Sequence, residues 1–408
     1  MSKLGDFCIN ITDGEHGTVK DIQDIQDRRY YLLSNKNIIN SKIQIDGSDR
    51  TISKADYEKI NKRTKLEHED VVIATVGTIG KTAILDRPSN YVFQRSVGII
   101  KTNKEKLNPY YLKYQIDTPN FQKRLQLLSK GGVQKCIFIN DLKGLDVKIP
   151  PIKEQEEIIS ILKNIDSKIE NNNAIIIELE SLAKDIYNYW FTQFDFSDEN
   201  GKPYKSSGGK MVWNKELKRE IPEGWKLKPL FDIMDVVYGF PLSTECFDDK
   251  NGIPVIRIRD ILDNTFSAYT TENVPDYALS RNKDLLIGMD GNFHMNFCAN
   301  DDYVINQRIT RIRNKSNTSV LQVYFEIMPY IKAKEQNVAR STVGHLSDKD
   351  LKGLRILDTC NTNIYNFFES ILDTYCLFIN ENIELTSLRD FLLPLLMNGQ
   401  VIVGGADE

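Results

Sequence analysis

The spacing of apolar and polar positions is most regular between residues 151 and 190. Apolar side chains there recur at alternating intervals of four and three residues, which is the repeat of a coiled-coil seam. The seam positions are Ile158, Leu162, Ile165, Ile169, Asn172, Ile176 and Leu179. Pro150 and Pro151 precede this segment and suit a first helical turn, so residues 151–194 are predicted to form a long central helix.

A second segment, residues 361–400, has a related pattern and is predicted to form a distal helix. Its seam positions are Phe368, Leu372, Tyr375, Ile379 and Asn382, after which the register breaks. Two related seams in one chain can bury each other, which predicts an internal antiparallel pair. Two separate amphipathic helices, each packed on its own domain, remain the alternative. Asn172 and Asn382 occupy equivalent positions and either set the register or are tolerated near a bend.

The stretch before each helix has mixed periodicity. Alternating patterns at 253–259 and 303–313 predict strands, whereas residues 109–128 contain shorter helical pieces. The expected fold class is α+β, with two tandem pseudo-symmetric α/β domains, residues 1–150 and 222–360, joined by a long antiparallel two-helix coiled coil. Residues 195–221 are rich in Gly, Ser, Lys and Glu and are expected to be a surface linker.

Internal duplication explains this two-part organisation. The pentapeptide DLKGL occurs at 141–145 and again at 350–354. Asp70 at the start of one apolar run corresponds to Asp284 in the other, and Gln94-Arg95 is matched with Gln307-Arg308. The chain therefore contains two copies of one plan. The leucines of the repeated pentapeptide are expected to be core residues that close each domain.

Composition excludes several classes of protein. Apolar residues make up 41% of the chain, and no apolar run approaches the roughly 18 to 20 residues of a membrane span. Six cysteines and four histidines are dispersed without metal-ligand spacing, so neither a disulfide framework nor a metal site is predicted. This cysteine usage, and an N-terminus without a signal-peptide pattern, favour a cytoplasmic protein.

The net charge of −4 conceals a segregation of charge. Residues 1–150 carry 25 Lys and Arg against 18 Asp and Glu, whereas residues 363–408 carry 1 against 7. Basic and acidic surfaces are therefore expected to meet different partners.

Motifs of catalysis are missing from the sequence. The segment from Thr75 to Thr82 resembles a phosphate-binding loop, but threonine stands at 75 where the first glycine is needed. Asn108-Pro109-Tyr110-Tyr111 lacks the second proline of a methyltransferase signature and is predicted to start a helix instead. No catalytic residue is predicted.

Polar and basic residues in the two domains are candidates for contacts with nucleic acid. Arginine pairs on one strand face suit guanine or phosphate, although an exposed strand also carries arginines for solubility, and Lys81 also fits a plain hairpin turn. The candidates are Lys81, Gln94, Arg95, Lys130, Gln134, Lys135, Arg257, Arg259, Arg308, Arg311, Arg313, Arg340, Thr342 and His345.

Five segments resemble the specificity subunits of type I restriction-modification systems. They are KIPPIKEQEEIISIL at 148–162, ELESLAKDIYNYWFTQFDF at 178–196, ENGKPYKSSGGKMVWN at 199–214, IPEGWKL at 221–227 and LLPLLMNGQV at 392–401. The resemblance covers essentially the whole chain. It implies two target-recognition domains, each contacting one half of a split sequence in double-stranded DNA, joined by antiparallel helices.

The resemblance also implies partners. The helices would dock methyltransferase subunits, expected to number two, and the complex would include restriction and translocase subunits. S-adenosylmethionine, ATP and Mg²⁺ would bind to those partners, and this chain would be non-catalytic. The candidate docking residues are Glu154, Gln155, Trp190 and Phe191. The second copy lacks the Pro-Pro and Glu-Gln opening, so the docking contacts of the first copy cannot simply be mirrored.

Two other functions are compatible with parts of the pattern. A coiled-coil adaptor that assembles proteins without reading DNA would share the helices and the repeat. A stand-alone methyltransferase or nuclease is disfavoured, because the sequence lacks the motifs of either.

Overall fold

The computed structural model describes residues 2–22, 29–131, 135–338, 344–359 and 361–401. The chain divides into two compact units: unit 1 comprises Met1–Ser167 with Thr386–Glu408, and unit 2 comprises Lys168–Leu385. Both boundaries fall inside long helices.

Unit 1 contains short strands and helices that alternate along the chain. Its strands are β1 (Ser2–Lys3), β2 (Cys8–Asp13), β3 (Tyr30–Leu33), β4 (Ile38–Ile39), β5 (Lys42–Ile43), β6 (Thr51–Ile52), β7 (Val71–Ala74), β8 (Thr82–Ile84), β9 (Tyr91–Phe93), β10 (Val97–Thr102) and β11 (Asp146–Val147). Its helices are α1 (Lys54–Thr64), α2 (Pro109–Asp117), α3 (Pro119–Leu128), α4 (Ile139–Lys143) and the first part of α5 (Ile152–Tyr187).

The sheets of unit 1 determine where its loops meet. An antiparallel sheet has the order β2-β10-β7-β8, and a second sheet has the order β6-β3-β9 with β3 parallel to β9. Strands β1 and β11 pair and close the unit.

Helix α2 begins at Pro109, and its N-cap is Asn108, whose Oδ1 accepts the Tyr110 N–H at 3.0 Å. The predicted helix start is therefore confirmed.

Unit 2 is built from a similar set of elements. Its strands are β12 (Met211–Asn214), β13 (Arg219–Pro222), β14 (Lys226–Pro229), β15 (Met234–Tyr238), β16 (Phe247–Asp248), β17 (Ile253–Ile256), β18 (Ala268–Thr270), β19 (Leu285–Gly288), β20 (Met295–Phe297), β21 (Val304–Ile305), β22 (Ile309–Asn314) and β23 (Arg355–Asp358). Its helices are the remainder of α5, α6 (Leu230–Ile233), α7 (Val320–Val338), α8 (Asp348–Lys352) and α9 (Thr362–Met397), of which the last residues belong to unit 1.

The topology of unit 1 recurs in unit 2. The antiparallel sheet β15-β22-β19-β20 corresponds to β2-β10-β7-β8, and the parallel pair β17/β21 corresponds to β3/β9. Strands β14 and β23 pair as β1 and β11 do. The expectation of two tandem units with one mixed helix-and-sheet plan is therefore confirmed.

The repeated pentapeptide closes each unit. It spans the end of α4, the C-cap Gly144 and Leu145 in unit 1, and the end of α8, the C-cap Gly353 and Leu354 in unit 2. The Leu4 N–H donates to the Leu145 carbonyl at 2.8 Å, and the Leu230 N–H donates to the Leu354 carbonyl at 3.1 Å. The four leucines of the repeat are buried, so their predicted place in the core is confirmed.

An ion pair that contains a buried aspartate is duplicated together with the strands. Asp70 precedes β7 and lies 2.6 Å from Lys101 Nζ on β10. Asp284 precedes β19 and lies 2.7 Å from Arg313 Nε on β22. Each aspartate also accepts the backbone N–H three residues before it, at 2.8 Å and 2.7 Å. The pair locks a turn to the central strand of each sheet.

The long helices run antiparallel within each unit. In unit 2, Asn172 Nδ2 donates to Asn382 Oδ1 at 2.9 Å, and Lys168 Nζ lies 3.3 Å from Glu381 Oε1. In unit 1, Arg389 Nη1 donates to Asp166 Oδ1 at 3.1 Å. Among the seam positions, Ile158, Leu162, Ile165, Asn172, Ile176, Phe368, Leu372 and Tyr375 are buried, and Ile169, Leu179, Ile379 and Asn382 are half-buried.

Ile176→Glu is expected to destabilise unit 2 by about 2–4 kcal/mol, because it places a carboxylate among apolar side chains. Ile176 is 7% exposed, whereas its neighbour Ile177 is 63% exposed and provides the matched control Ile177→Glu. Urea unfolding monitored by amide exchange in α5 measures the difference. Equal stability of the two variants would contradict the burial of position 176.

Residues 195–221, expected to be a surface linker, are more structured than that description. Phe191, Phe194 and Phe196 are buried in the core of unit 2, where Phe196 stacks on Trp225 with ring centroids 5.2 Å apart. The segment Asn188–Gln193 is π-helical, and Phe194 at φ 61° ends it. Strands β12 and β13 then form a hairpin. Gly201 and Gly208 lie in turns between Phe196 and this hairpin.

Across the described parts of the chain, no helix is both long and apolar enough to cross a membrane.

Candidate nucleic-acid interface

Three loop segments of unit 1 are joined by backbone hydrogen bonds and form loop cluster 1, defined as residues 75–78, 94–96 and 135–137. The Thr75 N–H donates to the Ser96 carbonyl at 2.9 Å, and the Ile137 N–H donates to the Thr75 carbonyl at 2.9 Å. These segments come from the end of β7, the start of β10 and the approach to α4. The sheet and the pentapeptide helix thus hold the cluster.

Loop cluster 1 carries several of the predicted residues. Arg95 and Lys135 are exposed and Gln94 is half-buried. Lys130 adjoins the cluster through a backbone bridge to Cys136, and its Nζ lies 2.9 Å from Asp141 and 5.7 Å from the centre of the Phe138 ring. Gln134 lies outside the described residues.

Lys81 is turned toward a different feature. Lys81 lies between the turn at residues 78–80 and strand β8, and it lines a groove with Lys113 and Arg389. The structure therefore does not group Lys81 with the exposed side chains of loop cluster 1.

Unit 2 contains an equivalent arrangement, loop cluster 2, defined as residues 289–292, 306–308 and 344–346. The Met289 N–H donates to the Arg308 carbonyl at 2.9 Å, and the Leu346 N–H donates to the Met289 carbonyl at 2.8 Å. These two bonds repeat those of Thr75 and Ile137. Both units thus hold three loops in one backbone frame.

The side chains of loop cluster 2 differ from those of loop cluster 1. Asp290 lies between two exposed side chains, with Oδ2 at 3.1 Å from Arg308 Nη1 and Oδ1 at 2.6 Å from His345 Nδ1. The structure therefore brings together two predicted residues that are 37 positions apart in sequence, Arg308 and His345. Arg340 and Thr342 lie outside the described residues.

The predicted match of Gln94-Arg95 with Gln307-Arg308 is wrong by one residue. The Arg95 N–H donates to the Glu15 carbonyl at 2.9 Å, and the equivalent bond runs from the Gln307 N–H to the Phe240 carbonyl at 3.0 Å. Arg95 therefore corresponds to Gln307, and Ser96 corresponds to Arg308. The two Gln-Arg pairs are identical in sequence, but their residues do not make the same backbone hydrogen bonds and so do not hold equivalent positions in the two units.

The expectation that Arg257 and Arg259 share one strand face is wrong. Strand β17 ends at Ile256, and Ile258–Asp260 forms a 3-10 turn. The turn forms because Asp260 Oδ2 accepts the Arg257 N–H at 2.9 Å. Arg257 then lies over the Phe247 ring, and Arg259 is exposed beside Ser267.

Arg311 and Arg313 share a face of β22 as predicted, but Arg311 is buried there and Arg313 is half-buried. Arg311 is 2% exposed, and its Nη2 lies 2.8 Å from Asp235 Oδ2. Arg313 makes a two-point contact with Asp284, with Nε and Nη2 each at 2.7 Å from a carboxylate oxygen. Burial raises the pKa of Asp284, and the Asp284 carboxylate raises the pKa of Arg313. The assignment of Arg311 to a DNA contact is wrong, since it is inaccessible.

Two of the four candidate docking residues are also inaccessible. Gln155 and Phe191 are fully buried, Trp190 is half-buried against Phe196, and Glu154 is exposed. Gln155 binds backbone groups of unit 1, and Phe191 belongs to the aromatic core of unit 2.

Sequence reasoning missed two sets of residues. Asp290, which holds Arg308 and His345, carries only one signal, the following Gly291 in a turn. The second set consists of apolar side chains that are exposed on the long helices. They are Ile177, Leu182 and Leu377 in unit 2, and Leu388 and Phe391 in unit 1.

Among the residues that the structure describes, no group of three or more His, Cys, Asp or Glu side chains is arranged to hold a metal ion.

The fold and these loop clusters define a protein with two related modules, each of which presents polar and basic side chains on one duplicated frame. A family model for the type I restriction modification DNA specificity domain matches residues 2–181 and 222–357. The chain belongs to this type I restriction-modification DNA specificity family.

Similar proteins come from archaea and bacteria. The specificity subunit of the type I restriction enzyme MjaIX from Methanocaldococcus jannaschii is 23% identical over 82% of this chain and 78% of its own length. The HindI specificity subunit from Haemophilus influenzae is 21% identical over 76% and 82%. The crystal structure of a type I S subunit from M. genitalium has a TM-score of 0.56 and 15% identity, and covers 97% of this chain and 95% of that chain. The last comparison shows the common fold.

Proposed function

We propose that this chain is the DNA-recognition subunit of a type I restriction-modification complex and binds a bipartite target. One observation carries the proposal: two loop clusters share a backbone frame but present different side chains. Arg95 in unit 1 stands where Gln307 stands in unit 2, and Cys136 stands where His345 stands. Base readout depends on such side chains, so the two units suit half-sites of different sequence.

Basic residues around loop cluster 1 support binding to a polyanion. Residues 1–150 carry 25 Lys and Arg against 18 Asp and Glu, and Lys135 and Arg95 are exposed at the cluster. Lysine contacts to phosphates supply affinity without sequence preference, and Gln94 and Arg95 have the donors and acceptors that base edges require.

The partners belong to the same proposal. Two methyltransferase subunits and the restriction subunits would dock on this chain, and the exposed Ile177, Leu377 and Phe391 of the long helices offer apolar surface for docking. S-adenosylmethionine, ATP and Mg²⁺ would bind to those partners, and this chain would catalyse no reaction. Binding of S-adenosylmethionine to the isolated chain would contradict this part of the proposal.

Arg95→Ala is expected to change the preference for bases in one half-site only, by about tenfold or more. Gln307→Ala is expected to change the preference in the other half-site, because the two residues hold equivalent places in separate units. The measurement is the methylated fraction of a plasmid library with randomised half-sites, in cells that express the full chain with its methyltransferase subunits. Lys59→Ala, an exposed lysine on α1, is the control for loss of a positive charge.

The outcomes separate the proposal from the adaptor alternative. Methylation by the unaltered complex that ignores base sequence in both halves would favour an adaptor. An Arg95→Ala variant that alters both half-sites equally would contradict separate recognition by the two units.

A further inference from the structure

Loop cluster 2 contains a set of three side chains that loop cluster 1 lacks. The Asp290 carboxylate contacts Arg308 Nη1 at 3.1 Å with one oxygen and His345 Nδ1 at 2.6 Å with the other. The equivalent positions in unit 1 are Val76, Ser96 and Cys136. The set is therefore specific to unit 2.

Backbone hydrogen bonds fix the positions of the loop segments that carry Asp290, Arg308 and His345. The Arg308 carbonyl accepts the Met289 N–H at 2.9 Å, and the Gly291 N–H donates to the Gly344 carbonyl at 3.1 Å. The Arg308 N–H in turn donates to Asn306 Oδ1 at 3.2 Å. The backbone of these loops therefore does not have to be ordered when a partner binds.

Exposure distinguishes this set from the structural ion pairs of the same sheet. The side chains of Arg308 and Asp290 are 58% and 28% exposed, whereas those of Arg313 and Asp284 are 31% and 1% exposed. An exposed ion pair contributes little to folding stability. The arrangement at Asp290 is thus available for binding.

We propose that Arg308 recognises a guanine in the half-site bound by unit 2, and that Asp290 is the positioning residue that sets the plane of its guanidinium. This inference rests on the proposed function. The contact with Asp290 engages Nη1, and the guanidinium keeps further N–H donors on its other edges. Guanine presents two acceptors, N7 and O6, in the major groove, which match two parallel N–H groups.

A phosphate is a poorer match for this geometry. The negative Asp290 beside Arg308 and His345 repels a phosphate, whereas the cytosine paired with that guanine presents an N4 amino donor in the same groove. Lysine binds phosphate as a point charge and cannot reproduce the two-point contact with guanine. Arg308→Lys therefore separates the two kinds of contact.

The experiment uses the full chain co-expressed with its methyltransferase subunits and a plasmid library with every half-site position randomised. The unaltered complex is expected to prefer guanine at one position of one half-site by about 10- to 100-fold. Arg308→Lys and Asp290→Asn are each expected to reduce that preference by about tenfold or more and to leave the other half-site unchanged. Arg281→Lys is the matched control, because Arg281 forms an exposed ion pair with Asp302 at the opposite end of β19.

Three results would overturn the inference: no guanine preference in either half-site of the unaltered complex, a preference that survives Arg308→Lys, or an equal loss at every position. Base preferences at other positions would then still support the proposed function. A complex without any base preference would instead contradict the proposed function itself. Amide exchange in β19 and β22 tests whether each variant keeps unit 2 folded.

Discussion

Arg311→Ala is expected to lower the free energy of unfolding of unit 2 by about 3–5 kcal/mol, because it leaves a cavity in the central sheet where a fully buried side chain stood. Arg311 lies 2.8 Å from Asp235 and 3.9 Å from Asp284, and it is the largest of the fully buried side chains in the described residues. Amide exchange in β19 and β22, with unit 1 as the internal reference, measures the loss within unit 2.

Arg311→Met is the control for volume. Nε and Nη1 of Arg311 have no hydrogen-bond partner, so methionine removes a poorly satisfied charge and fills the same space. Asp284 keeps its two-point contact with Arg313. We expect the methionine variant to stay within about 1.5 kcal/mol of the original chain. The Arg311→Ala variant could instead be as stable as the methionine variant and lose recognition of one half-site. That result would show that Arg311 contacts DNA.

Gln155→Glu is expected to destabilise unit 1 by about 2–4 kcal/mol, because a buried carboxylate would replace an amide that donates two hydrogen bonds. Gln155 Nε2 donates to the carbonyls of Lys106 and Pro150 at 2.9 Å and 2.8 Å, and Oε1 accepts the Asn108 N–H at 2.9 Å. The first turn of α5 is thus tied to the segment that starts α2. Amide exchange in α2 and in the first turns of α5 measures the loss.

Glu154→Gln is the matched control, since Glu154 is exposed at the neighbouring position. This substitution replaces a carboxylate by an amide, the reverse of the change at Gln155. We expect no change in the stability of unit 1. If Gln155→Glu instead weakened binding of a methyltransferase subunit while unit 1 kept its stability, Gln155 would be a docking residue as the sequence suggested.

Local patterns predicted the elements that depend on local interactions. The seam of alternating intervals predicted a helix over 151–194, and α5 covers Ile152–Tyr187 before a π-helical turn. The second seam predicted a helix over 361–400, and α9 covers Thr362–Met397. Helical periodicity is a property of neighbouring turns, so the sequence contains it directly. The repeat likewise matched Asp70 with Asp284, and the structure shows that these residues precede the equivalent strands β7 and β19.

The interface could be predicted only in part. The sequence placed Arg95, Lys135, Arg308 and His345 among the candidates, and the structure groups them by unit in two loop clusters. It placed Arg311 beside them, because alternation along a strand shows which residues share a face but not which face is buried. In the folded chain Arg311 is only 2% exposed, and its guanidinium lies 2.8 Å from Asp235 and 3.9 Å from Asp284.

The sequence by itself determined that the chain contains two copies of one plan, two long helices and the family to which its motifs point. Periodicity, repeated segments and motif order are carried by the order of residues alone. The tertiary structure decided which arginines are ion-paired in the core and which are exposed, and it brought Asp290, Arg308 and His345 together. The physical reason is that burial and partner choice depend on segments far apart in the chain, which meet only after the sheet has formed.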